Sequence, residues 1–126
     1  MVTYKRQVLF NLLTDLYPGA QIACGTTYAS ISISIDEPLV QEMTIQEKYP
    51  HYLLKHNLML LRHERNQRLP STDVYALPDY PHASAELKQE WLAYRQALRD
   101  MTKTNPMPVA DDDDNLIGIV WPSRPA

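Results

Sequence analysis

Hydrophobic positions along this chain follow two rhythms. In residues 3–17, Val8, Leu9, Leu12, Leu13 and Leu16 recur at three- and four-residue intervals and Tyr17-Pro18-Gly19 follows as a stop, which predicts an amphipathic helix. Over residues 26–36, TTYASISISID, Ala29, Ile31, Ile33 and Ile35 alternate with Ser30, Ser32 and Ser34. That alternation predicts a strand with one apolar and one hydroxylated face. The serine face reads either as solvent surface or as a surface laid against another protein. Because a lone strand leaves its backbone groups unpaired, a ladder partner is required. The candidates are residues 21–24, residues 40–45 and the apolar LIGIVW at 116–121, with strand addition by a partner chain as a further route.

Helical spacing returns at Leu54, Leu58 and Leu61. Thr44-Ile45-Gln46-Glu47 fits a capping box and Pro50 suits a first turn, so this helix is expected to start near one of them. It should run to about Leu69, where Pro70 ends it. Residues 70–83 read as a long, proline-rich connection. Ser84 or a neighbour is placed to cap a further helix whose Leu87, Trp91, Tyr94, Leu98 and Met101 form one apolar seam. Residues 50–69 and 84–103 are therefore predicted to pack as an antiparallel αα-hairpin.

The fold class expected is α+β, in three parts. Residues 1–45 form an N-terminal helix with a small β element, residues 46–104 the helical hairpin, and residues 105–126 an extended, acidic and proline-rich tail. That tail is expected to be held by partners, since such segments order poorly alone.

Composition narrows the function. A chain of 126 residues, 44% apolar and 21% charged, suffices for one modest core. Its net charge of -3 supplies no basic field for nucleic acid or an anionic membrane. The apolar runs fall well short of the about 20 residues that a membrane span needs, and the N-terminus lacks a signal-peptide core. The expectation is a protein of the cytoplasm. Cys24 is the only cysteine, which excludes an intrachain disulfide and a cysteine-based zinc site; it reads as a small packed side chain.

Candidate chemistry is sparse. His56 and His63 lie seven residues apart, whereas helical metal ligands usually sit three or four apart. The run Asp111–Asp114 lacks the glycine and glutamate that a calcium loop needs, and reads as a solvated linker. No nucleophile elbow or phosphate loop is present, so the reading is against an enzyme and implies no cofactor. More informative are the arginines. Arg65, Arg95 or Arg99 is expected to anchor the connection between the helices by pairing with Asp73 or Asp79. Tyr94 and Asp100 add an aromatic and polar rim suited to protein binding.

The ordered motifs LRHERN, TD, PD, WLAYRQALRDM and VWPSRP, over about residues 58–125, resemble those of the phage tail assembly chaperone family and related tail-fibre assembly proteins. Arg65 and Asn66 hold its RN; Thr72 and Asp73 the TD; Asp79 the loop acid. Trp91, Tyr94, Arg95, Leu98, Arg99 and Asp100 hold the helix signature, and Trp121 and Pro122 the terminal WP. One departure concerns the aromatic expected directly after Asp73: Val74 stands there, with Tyr75 one place later. The resemblance implies a non-enzymatic protein that binds tail, baseplate or tail-fibre polypeptides during assembly in the host cytoplasm, as a transient factor or as a component kept in the virion. It leaves copy number and oligomeric state open.

Overall fold

The computed structural model describes residues 1–125. Two compact units divide it, Met1–His56 and Asn57 onward.

In the first unit, α1 (Arg6–Leu16) buries Val8, Leu9, Leu12 and Leu13. Tyr4, Tyr17 and Ile45 complete this core, and Ile22, Ile31, Ile33, Ile35, Tyr49 and Tyr52 pack around it. Tyrosine hydroxyls tie the loops down: Val40 N donates to the Tyr17 hydroxyl at 2.9 Å, and the Tyr28 hydroxyl donates to Val40 O at 2.6 Å. The Tyr52 hydroxyl donates to Asp15 at 2.6 Å.

The predicted strand over 26–36 is much shorter than its alternation implies. Ile31, Ile33 and Ile35 do pack on the core while Ser30, Ser32 and Ser34 are exposed. The ladder itself is only β1 (Ile22–Ala23) against β2 (Ser32–Ile33), antiparallel, with Ile22 opposite Ile33. Beyond it Ser34 N still donates to Gln21 O at 3.0 Å, and serine hydroxyls take neighbouring amides. Ser30 Oγ accepts Gly25 N at 2.8 Å and donates to Thr27 O at 2.6 Å, closing a 3-10 turn over Tyr28–Ser30. Ser34 Oγ accepts Gln21 N at 2.8 Å. Such local bonds compete with ladder bonds. Of the candidate partners, residues 21–24 pair with β2, and 116–121 pair elsewhere.

The central helix, α2 (Glu42–Arg68), contributes residues 42–56 to the first unit and 57–68 to the second. It begins ahead of both predicted starts and carries Pro50 in its interior. Ile45, Tyr49 and Tyr52, all packed on the core, flank the proline on both sides. Their burial overrides the loss of one helical N–H at Pro50.

In the second unit Pro70 ends the α-helix, but the connection after it is ordered: Pro70–Ala76 is a 3-10 helix with Thr72 buried. Then α3 (Ala85–Arg99) starts at Ser84, whose Oγ accepts Leu87 N at 3.0 Å. It buries Trp91, Arg95 and Leu98, and its principal neighbour is the 3-10 segment. Asp100 separates α3 from the single turn α4 (Met101–Thr104), which buries Met101.

The tail also departs from expectation. Val109–Ala110 (β3) and Leu116–Ile117 (β4) pair antiparallel, with Val109 opposite Ile117. Asp111 makes the turn: Oδ1 accepts Asp113 N at 3.0 Å and Asn115 N at 2.9 Å, and Asp111 N donates to Asn115 O at 2.9 Å. Asp114 adopts φ 63, a conformation that Asp tolerates better than most residues. The aspartates thus build a turn rather than a linker, because a short acidic side chain caps its own backbone.

Candidate functional site

The second unit draws its polar and aromatic signature residues around α3. Arg95 follows Trp91 by four residues and precedes Leu98 by three, so all three lie on the buried side of the helix. From there the guanidinium reaches the 3-10 segment. Arg95 Nη1 donates to Thr72 Oγ1 and to Asp73 Oδ1, both at 2.8 Å, and lies 3.4 Å from Leu69 O. Thr72 Oγ1 in turn donates to Leu69 O at 2.7 Å. One buried cation thereby orders the whole start of the connection.

The aromatic groups stack on this anchored segment. Tyr75 lies flat on Trp91, with ring centroids 3.8 Å apart and planes at 12°. Tyr80 meets Tyr75 edge-on at 5.0 Å, and His82 meets Tyr80 edge-on at 4.7 Å. His82 Nε2 lies 3.0 Å from Tyr75 O. Since a carbonyl only accepts, Nε2 carries the proton. The displaced aromatic, Tyr75, is therefore the one that covers Trp91, while Val74 is exposed.

The C-terminal segment lies against the same unit instead of hanging free. Arg68 stacks on Trp121, its guanidinium carbon 4.0 Å from the ring centroid, and Arg124 approaches Trp91 at 5.3 Å. Cation–π contacts of this kind hold the tail on this unit. Tyr75, Tyr80, His82, Leu87, Trp91 and Arg124 line a cleft of about 400 Å³. A second cleft, of about 340 Å³, lies between His63, Glu64, Asp114, Leu116 and Trp121.

The other sequence-predicted residues are dispersed. Arg65 Nε donates to Asn66 Oδ1 at 3.1 Å. Asp79 and Arg99 are exposed. Asp100 accepts Gln96 Nε2 at 3.1 Å and lies 3.7 Å from Lys103 Nζ. Tyr94 touches Trp91 edge-on at 6.0 Å, and Pro122 is half-buried. Tyr80, Leu87 and Arg124 lie outside the residues that the sequence marks for the site, and Thr72 enters there only through the TD motif. For Tyr80 the available signal was an aromatic in a proline-rich connection, which needs a surface to lie on.

Chemically, the cleft offers flat aromatic faces, a guanidinium and an imidazole. Among the described residues, no group of three or more His, Cys, Asp or Glu is placed to hold a metal ion. No described helix is long and apolar enough to cross a membrane. Comparison with curated proteins and with solved structures gave no significant match. The sequence model described as phage tail assembly chaperone protein matches residues 58–126, which cover the whole of the site just described. This chain belongs to the phage tail assembly chaperone family and has a general role in phage tail assembly.

Proposed function

We propose that the protein binds a tail, baseplate or tail-fibre polypeptide during assembly in the host cytoplasm, without catalysing a reaction, through the aromatic cleft on α3 and the adjoining C-terminal segment. The observation that carries this reading is the convergence of separate matched stretches on one surface: Tyr75 and Tyr80 from the connection, Trp91 from α3 and Arg124 from the tail. Aromatic clefts of this kind accommodate extended, proline-containing segments, which lose little conformational entropy on docking. Arg95, with Thr72 and Asp73, acts by holding Tyr75 over Trp91, and Trp121 acts by fastening the tail through Arg68.

Affinity purification from cells co-expressing the phage tail proteins tests the proposal. The full chain should recover a tail polypeptide, and a chain ending at Asn115, which lacks Trp121 and Arg124, should recover far less. Undiminished recovery would remove the tail from the binding surface, and recovery of no tail polypeptide would refute the reading. Mass spectrometry of purified particles separates the two fates that remain. Absence marks a transient assembly factor, and stoichiometric presence marks a connector kept in the virion.

A further inference from the structure

The β3–β4 hairpin presents an apolar face to solvent. Val109 and Ile117 stand opposite each other in the ladder and are 58% and 53% exposed, while Ala110 and Leu116, on the other face, are half-buried. Towards the start of β3 the alternation continues, with Pro108 buried and Met107 74% exposed. Beyond β4, Gly118 at φ 71 resets it. Val120 is consequently 83% exposed, between half-buried Ile119 and Trp121. Single exposed apolar side chains are ordinary on a protein surface; Val109 and Ile117 paired on one face, with Met107 and Val120 exposed just beyond the two strands, mark an interaction surface.

The tip of the same hairpin is acidic. The Asp111 carboxylate is committed to the turn. Asp112 and Asp113 are exposed, with no cation paired to them among the described residues. Apolar surface and two exposed carboxylates thus adjoin on one element.

The charge selects a cationic occupant. It also disfavours a second copy of this chain, which would bring its own acidic tip and a net charge of -3. The width selects the secondary structure. A ribbon two strands wide presents side chains over about 10 Å, comparable with the diameter of one α-helix.

We propose that the exposed face of β3–β4 docks an amphipathic helix of another protein, its apolar stripe on Val109 and Ile117 and its lysines or arginines at Asp112 and Asp113. The surface uses none of the residues that line the aromatic cleft, and it stands whether or not that cleft binds a tail polypeptide.

The test uses the full-length protein and a synthetic amphipathic helix of about 18 residues with a leucine stripe and a lysine-rich end. A control peptide carries glutamate in place of each lysine, and binding is read by fluorescence anisotropy. The lysine peptide should saturate below about 100 μM, and the double variant Val109→Ser/Ile117→Ser should weaken it about tenfold. Asp112→Asn/Asp113→Asn should weaken it severalfold and flatten its salt dependence. NMR shifts in the unaltered protein provide a readout independent of variant folding, and should be confined to residues 107–120. Equal binding of the glutamate peptide, absence of saturable binding, or shifts centred elsewhere would overturn the proposal. So would sedimentation showing a dimer that Ile117→Ser converts to monomer, since the face would then belong to a second copy.

Discussion

Replacing Arg95 by methionine keeps most of the buried side-chain stem and deletes the guanidinium that orders the 3-10 segment. Its two short bonds differ in surroundings although both measure 2.8 Å. Thr72 is 1% exposed, whereas the Asp73 side chain is 64% exposed. A buried hydrogen bond to a charged group contributes about 1.5–3 kcal/mol. A largely exposed ion pair contributes about 0–1 kcal/mol, because the carboxylate rehydrates when its partner leaves.

Arg95→Met is therefore expected to cost about 2 kcal/mol, most of it through Thr72. For a unit the size of Asn57 onward that corresponds to a fall of roughly 8–16 °C in its melting temperature. Urea unfolding followed by far-UV circular dichroism, with Thr72→Val and Asp73→Asn in double-mutant cycles, separates the two bonds. Coupling of Arg95 to Thr72 should be about 1–2 kcal/mol and insensitive to salt, and coupling to Asp73 below about 1 kcal/mol and fading with salt. A larger coupling to Asp73, or an Arg95→Met variant within about 0.5 kcal/mol of the parent, would refute this account of the anchor.

Two further outcomes follow from buried aromatics. Trp91→Ala removes the ring on which Tyr75 stacks and should cost about 3–5 kcal/mol by denaturant unfolding; a loss below about 1 kcal/mol would place Trp91 at the surface. In the N-terminal unit, burial and the hydrogen bond to Glu42 push the Tyr4 hydroxyl up, and the hydrogen bond to Asp15 and burial do the same for Tyr52. Both groups are raised in the folded state, so their contribution is complete below the ordinary tyrosine range and is lost as pH rises through the raised values. That unit should therefore weaken in alkali above about pH 10, and less so in Tyr4→Phe. Ultraviolet titration of tyrosinate alongside circular dichroism checks this, and ordinary midpoints for both groups in the folded protein would contradict it.

Periodicity made much of this chain legible. The Val8–Leu16 rhythm of α1, the Trp91 and Leu98 seam of α3 and the Ser84 cap are local patterns, each repeated or signalled within a few residues. Family membership was legible for the same reason, in motifs short enough to be read in order. Hydroxyl and carboxylate side chains obscured the rest. Nothing in ASISISI announces that Ser30 and Ser34 will take backbone N–H groups and shorten the ladder. Likewise, four consecutive aspartates read as charge until Asp111 is seen accepting two amides at a turn.

The sequence by itself determined where α1, α3 and most of α2 lie and which of their positions seek a core, and it pointed to an arginine–aspartate tie on the connection between the helices. Only the tertiary structure decided the pairings: Arg95 with Thr72 and Asp73, Tyr75 with Trp91, Arg68 with Trp121, and Arg124 with Trp91. These contacts join residues 16 to 53 positions apart, read from the numbering. The course of the backbone between them sets them, and an alternating or helical pattern carries information over only a few residues.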